Sequence, residues 1–347
     1  MKTAIPSIKL LFYGFCLATV LYNCKTKDVD SLTPFTYTFK GLDAKLPDVK
    51  TTTPAAVSVT AATVTSSTAA AAVTAGVAGI TASGQVPASV QQATTNVAKA
   101  VSPDKATAIS AEFTPGVIAT LTSTGKLPAS LKAEVDAIAT NPALQAYLPV
   151  FTLPTVNGKA VGGRVAAPVT IEVVHSIQDA GTDACKAAAN AAFATAKAGL
   201  DAQRQTQSAP INAAYTQAVS TANGEVAGCQ APIPAKYSAS IAAAQSTLGT
   251  ALAALSSARS ILGEERYALL VVLSYVSFSQ IVGGYVTLQT AETNACSLTK
   301  DAKITNAQTA RDADLSQITS NYNSAVSTLT TALAQAVASC HNQGNGG

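Results

Sequence analysis

Towards the end of the chain Leu315, Ile318, Tyr322, Ala325, Leu329, Ala332 and Ala336 recur at alternating steps of three and four, with Ser, Thr, Asn and Gln between them. That spacing holds one apolar stripe on one face of a continuous helix, as in a coiled-coil seam. A second pattern occurs earlier. "GVAGITASGQVPASVQQATTNVA" is followed by "GVIATLTSTGKLPASLKAEVDAIA", so that "GQVPASV" from Gly84 is repeated as "GKLPASL" from Gly125. The repeat predicts two copies of a helix, a tight turn and a second helix over residues 75–149. Gly84 and Gly125 suit left-handed helix C-caps, and Pro87 and Pro128 suit first-turn positions, where a missing N–H costs nothing.

Between these regions "VFTLPTVNGKAVGGRVAAP" interrupts the helical pattern with Gly, Pro and an Asn-Gly pair. This predicts a linker and domain boundary over residues 150–168, with a small hairpin centred on Asn157-Gly158. Residues 24–74 contain Thr, Ser, Val and Ala without a sustained period and are expected to form a low-complexity tether, helical towards its Ala-rich end.

The cysteines organise the last part of the chain. The same spacing separates Cys185 from Cys229 and Cys296 from Cys340, with "DAC" and "NAC" opening the two segments and "AGC" and "ASC" closing them. A single straight helix would hold the two ends of such a segment far apart, so antiparallel helices would instead join Cys185 to Cys340 and Cys229 to Cys296. Pro210, in "DAQRQTQSAP", leaves open a hairpin that would join Cys185 to Cys229. Zinc is not expected, because the cysteines lack close pairs and His175 and His341 are the chain's two histidines. Between Cys229 and Cys296 the pattern fits a helix out over residues 235–260, a turn at "LGEE", and a helix back to residue 291. The expected fold is therefore all-α: a duplicated helical-hairpin region, then a disulfide-framed up-down-up-down four-helix bundle over residues 169–347.

The returning helix carries the apolar segment "YALLVVLSYVSFSQIVGGYVTLQTA" from Tyr267 to Ala291, which has no charged residue and is long enough to cross a bilayer. A central buried helix is the first expectation. Ser274, Ser277, Gly284 and Thr287 nearly share a face, where an Ala-rich neighbour could approach closely. The alternative is a membrane-active protein that deploys residues 267–291, similar in architecture to helical pore-forming toxins that store an apolar hairpin against long helices.

At the N-terminus, Lys2 to Lys9 precede the apolar run "LLFYGFCLATVLY", too short to span a bilayer comfortably but suited to a signal-peptide core over residues 1–23. Cys16 follows Phe15, whereas Cys24 closes "LYNC". With these residues the segment resembles a bacterial lipoprotein precursor. The resemblance implies that Cys24 is acylated and becomes the mature N-terminus, and that the membrane is a partner through this lipid. Lys25, where an aspartate would resemble an inner-membrane retention signal, favours the outer membrane.

Composition narrows the function classes. Lys and Arg number 22 against 19 Asp and Glu, with no basic cluster, so nucleic acid is not expected as a partner. Charged residues are 12% of the chain and there is no Trp, which suits close-packed Ala-rich helices. The sequence contains no G-x-S-x-G elbow, no Walker-type loop and no H-E-x-x-H. Glu264-Glu265 and Glu134 with Asp136 are acidic groupings expected to cap or solvate helix turns. No catalytic residue, cofactor or enzymatic activity is expected, and an enzyme with an inter-domain cleft is the least supported class. The expectation is a structural or adhesive envelope protein with an envelope or extracellular protein partner.

Overall fold

The computed structural model of the chain describes residues 38–161 and 184–340. The expected signal peptide, Cys24, His175, His341 and residues 162–168 of the expected linker lie outside these. The described chain is all-α in class, with a few short strands. It divides into two compact units, one built from residues up to 49, 173–207 and 317 onward, the other from residues 50–172 and 208–316.

The second unit begins with β1 (Val59–Thr60) and β2 (Thr63–Thr65), followed by α1 (Thr68–Ser83), α2 (Ala88–Ala98), α3 (Pro103–Glu112), α4 (Pro115–Thr124) and α5 (Ala129–Ala139). A 3₁₀ turn over Pro142–Tyr147 and strands β3 (Val150–Thr152), β4 (Thr155–Val156) and β5 (Lys159–Ala160) follow. Local chemistry accounts for the helix ends. Ser67 caps α1 by accepting from the Ala70 N–H, while Pro103 and Pro115 open α3 and α4 behind the side-chain caps Ser102 and Thr114.

Gly84 and Gly125 end α1 and α4 in the left-handed region, at φ 66° and 69°. Gly125 meets a second constraint, because a Cβ there would stand 2.7 Å from a methyl of Val286. Pro87 and Pro128 stand one position earlier than expected, as the N-caps themselves in extended-type backbone (Pro87 φ −64°, ψ 156°). The Ser102 cap and Pro103 begin a helix, α3, that the two-copy repeat did not contain.

The expected tether and linker require correction. β1 pairs antiparallel with β4, β4 with β5, and β2 with β3, so residues 59–65 are sheet partners of residues 150–156. The hairpin at Asn157-Gly158 is present, with both residues at positive φ, 50° and 74°, as a tight type I′ connection demands. Its strand β4 has β1, from the expected tether, as a second partner. Far from separating two domains, residues 150–160 close the sheets of the second unit.

Three long helices complete the chain: α6 (Ala184–Gln230, 47 residues), α7 (Pro232–Leu262, 31 residues) and α8 (Glu264–Cys340, 77 residues). The four-helix expectation is corrected here. The returning helix does not stop near residue 291 but continues through Cys296 to Cys340, since neither Gly nor Pro intervenes to end it. Pro210 lies inside α6, which runs on past it, so the hairpin reading of that segment also fails. Ala231, itself in helical conformation, joins α6 to α7, and Gly263 at φ 78° turns α7 into α8.

The main core of the second unit joins the duplicated hairpins to α7 and α8. Ile80, Val90, Val97, Ile109, Leu131 and Leu144 pack in one cluster with Leu255, Leu262, Leu270 and Val272. Residues 75–149 are thus one side of a shared core, not a separate region. In the first unit the expected seam is realised, with Ile318, Leu329, Ala332 and Ala336 of α8 buried. Leu46 and Leu200 cluster with Leu329, and Phe193, Tyr322 and Val326 pack around them.

Candidate functional site

Cys185 is bonded to Cys340 within the first unit and Cys229 to Cys296 within the second, with Cα separations of 5.8 and 5.9 Å. The bonds link α6 to α8 across antiparallel stretches, the pairing that the helical spacing favoured. Side-chain contacts within each unit follow the same direction. In the first, the Tyr322 hydroxyl donates to Asp201 Oδ1 (2.5 Å), and in the second the Gln230 amide donates to the Thr293 carbonyl (3.3 Å). Among the described residues no group of three or more His, Cys, Asp or Glu is placed to hold a metal ion.

The apolar segment Tyr267–Ala291 forms the first part of α8 and is the most enclosed length of chain in the second unit. Leu269, Leu270, Val271, Val272, Leu273 and Val276 are buried in the main core, with Phe278 and Val282 in the adjoining cluster and Leu288 in the next. Its enclosure comes from short elements. The Phe113 ring stacks flat on Tyr275, with ring centroids 4.4 Å apart, and the end of α4 abuts Val286 through Gly125.

Farther along, Phe151 of β3 lies directly over Gly284, where a Cβ would come within 2.2 Å of the ring. Gly284 therefore serves an aromatic knob from the β2–β3 pair, and the expectation of an Ala-rich neighbour at this position is corrected. Phe151 also meets Tyr285 edge-on, with centroids 6.3 Å apart, and Tyr285 is tilted against Tyr237 at 6.0 Å. Burial pushes the Tyr237 phenol above its usual range, and the neighbouring Glu292 carboxylate adds to the shift. Lys236 closes this end with two bonds to that carboxylate, at 2.7 and 2.9 Å.

Beside α1, α7 and α8 of the same unit lies an open, shallow apolar crevice, lined by Val73, Val77, Leu255, Leu270 and Leu273 among others. The hydroxyls on its walls are turned back on their own helices, Thr74 to the Ala70 carbonyl, Thr250 to Ser246 and Ser274 to Leu270. The crevice therefore presents almost no polar chemistry to a ligand.

The acidic groupings singled out in the sequence do not form a reactive pair. Glu264 receives the Arg259 guanidinium, with Nε 2.9 Å from Oε1, and Glu134 receives Lys105 Nζ at 3.1 Å, while Asp136 is bonded by Lys132 one turn away. The Arg259 contact holds the Glu264 carboxyl below its usual range. Glu264, Glu134 and Asp136 are thus each engaged by a cation.

No known protein family, no curated protein and no solved structure matches this chain. The functional reading therefore rests on the chemistry of the chain itself.

In the first unit, Asp201 of α6 accepts from Tyr322 and from Lys197 Nζ (2.9 Å), and the Arg204 guanidinium lies 4.6 Å from the centre of the Tyr322 ring. The Tyr322 hydroxyl first, then Lys197, holds the Asp201 carboxyl below the usual carboxylate range. A carboxyl with a depressed folded pKa stabilises the fold above its unfolded value of about 3.9, and that contribution is lost as pH falls through the lower folded value. Tyr322→Phe is accordingly expected to cost about 0.5–1 kcal/mol at pH 7, below the roughly 1.5–3 kcal/mol of a hydrogen bond to a charged group because the Asp201 side chain is 43% exposed. Thermal melts across pH should show this deficit constant from pH 5 to 8 and shrinking below about pH 4; a deficit unchanged in acid would rule out the ionised Asp201 as its source.

Asp314 was not singled out by the sequence. It is 5% exposed, and its carboxylate accepts both the N–H (2.8 Å) and the hydroxyl (2.5 Å) of Thr52. The one acidic residue beside an apolar seam carries no periodic signal that would distinguish it from Asp312, so only the fold reveals that it is taken up by residues of the supposed tether.

Proposed function

We propose that this chain is a non-catalytic, lipid-anchored protein of the bacterial cell envelope, serving a structural or adhesive role through its helical surface. The observation that carries this reading is the pair of disulfides, each joining α6 to α8, because such bonds persist in oxidising, exported compartments. The lipobox-like "LYNC" supplies the anchor, with Cys24 acylated and made the mature N-terminus, and Lys25 favours the outer membrane. A double or triple acylation gives stable membrane attachment where a single chain would not.

The enclosure of residues 267–291 supports a core helix over a deployed one. Moving Leu270, Val272, Val276 and Val282 out of the protein would forfeit about 1.5–3 kcal/mol for each side chain before the bilayer returned any of it. The partner in this reading is another envelope protein or an extracellular protein, and no nucleic acid or cofactor is involved.

The deciding experiment is mass spectrometry of the protein from washed membranes, digested without reductant. An acylated peptide beginning at Cys24, together with disulfide-linked peptides carrying Cys185 with Cys340 and Cys229 with Cys296, is the expected result. An unmodified mature N-terminus would overturn the anchor, and free thiols at the four later cysteines would overturn export.

A further inference from the structure

In the first unit the chain before Lys50 is a strap laid along α6 and α8, and the order of its contacts fixes its direction. Gly41, at φ 83°, lies against Ala332 of α8, whose methyl would stand 3.3 Å from a Cβ at that position. Leu42 and Leu46 join the cluster of Leu200 and Leu329, the Leu46 N–H donates to Gln203 Oε1 (2.9 Å), and the Gln207 amide donates to the Pro47 carbonyl (3.1 Å). From Gly41 to Pro47 the strap thus passes from residue 332 towards lower numbers on α8 and reaches residue 207 on α6. It runs away from the end of the unit that the Cys185–Cys340 bond closes.

The strap stays bound farther along. In the second unit the Thr52 N–H donates to Asp314 Oδ2 (2.8 Å), the Ala55 carbonyl accepts from Asn306 Nδ2 (2.8 Å), and Val57 packs against the cluster of Val156, Val161 and Ala295. The long free reach expected of a tether over residues 24–74, roughly 170 Å at full extension, is therefore lost. Seventeen residues separate Cys24 from Gly41, and they span at most about 60 Å.

We infer that, in the anchored protein, the end of the first unit closed by the Cys185–Cys340 bond faces the bilayer that holds Cys24. The strap starts near that end, since Ala332 lies eight residues, about 12 Å, from Cys340 along α8. A bilayer holding Cys24 therefore draws on the unit there. The side chains at this end suit a headgroup layer. Lys40, next to Gly41, and Lys186, next to Cys185, are cations that anionic phospholipid attracts, and α8 carries no charged residue from Gln317 to Cys340. The inference rests on the lipid anchor proposed above and gives that anchor a membrane-facing surface.

The test uses the acylated full chain, with both disulfides intact, in vesicles of phosphatidylethanolamine and phosphatidylglycerol that carry a headgroup-labelled acceptor lipid. Gln335→Cys and Gln317→Cys, made one at a time, take a donor dye. Both positions are exposed, and eighteen residues, five full helical turns, set them on one face of α8. They differ by about 27 Å along the helix, so energy transfer to the bilayer from position 335 should exceed that from position 317 by at least about 1.5-fold. A twenty-residue Gly-Ser insert after Lys25 lengthens the reach and should lower the transfer from position 335 by at least about a third.

Equal transfer from the two positions, or greater transfer from position 317, would overturn the inference. So would transfer that the insert leaves unchanged, because the short connection to Cys24 would then not set the distance. Acylation of Cys24 is established beforehand by the mass of its peptide. An acylated protein with equal transfer would therefore refute the orientation and leave the envelope reading standing, whereas an unmodified N-terminus would refute the anchor itself.

Discussion

Replacing Cys185 and Cys340 together by serine is expected to lower the unfolding free energy by about 5 kcal/mol. The bond closes a sequence separation of 155 residues, and loop-closure entropy in the unfolded chain grows with the logarithm of that length. The Cys229–Cys296 bond, with a separation of 67 residues, should contribute about 4 kcal/mol on the same basis. The smaller loop is nested within the larger, so removing both should cost less than the sum. Urea titrations followed by circular dichroism test this directly, through a fall in the midpoint at which the affected unit unfolds. The location of the effect is as informative as its size. The first unit holds the Cys185–Cys340 bond and a small cluster around Leu46, Leu200 and Leu329. Its loss should therefore appear as a separate early transition, and a single unshifted transition would show that the bond adds no net stability.

Val276→Asp is expected to destabilise the second unit by more than about 4 kcal/mol. Val276 is fully buried, among residues that offer an introduced carboxylate no cation. An unpaired buried charge is among the few single changes of that size. Desolvation would raise the folded pKa of the new carboxyl, so its penalty is full above the unfolded value of about 3.9 and should ease as pH falls towards it. Thr287→Asp provides the control, since Thr287 lies on the exposed side of the same apolar stretch and surface changes of this kind are usually within about 0.5 kcal/mol. Urea midpoints of the two variants should differ widely. Equal, small effects would mean that residues 267–291 are not the core helix of this unit and would favour the membrane-active alternative.

The parts of the fold that were legible in the chain are those whose signal is local or periodic. The seam from Leu315 to Ala336 predicted one helix with one buried face, and that face is buried against the first part of α6. Gly84 and Gly125 marked helix ends because left-handed backbone strains residues with a Cβ, and Asn157-Gly158 marked a two-residue turn for the same reason. The four-helix count fails where it ends the returning helix near residue 291, since nothing between Ala291 and Cys296 stops a helix and α8 runs through. Likewise Pro210 left a hairpin open, but α6 runs on through it.

The site-level features were less visible because their partners are distant. Thr52 and Asp314, Phe151 and Gly284, and β1 and β4 are each pairs separated by long stretches of chain, and nothing local to one member points to the other. The repeat made residues 75–149 resemble a self-contained region, although an amphipathic hairpin also fits any other apolar surface. Here that surface is α7 and the beginning of α8.

By itself, then, the sequence determined the helical class, the buried face of the seam and the positions of the tight turns, and it favoured an antiparallel cysteine alignment over the hairpin that Pro210 left open, since these follow from backbone sterics and the helical period. Only the tertiary structure decided that the low-complexity stretch before α1 is sheet and strap, that a single glycine admits the Phe151 ring, and that α8 serves both units. These depend on which surfaces meet. Burial is rewarded by contact with any complementary apolar face, and main-chain groups accept any well-placed donor or acceptor, so a chain's local pattern does not specify the remote partner it finds.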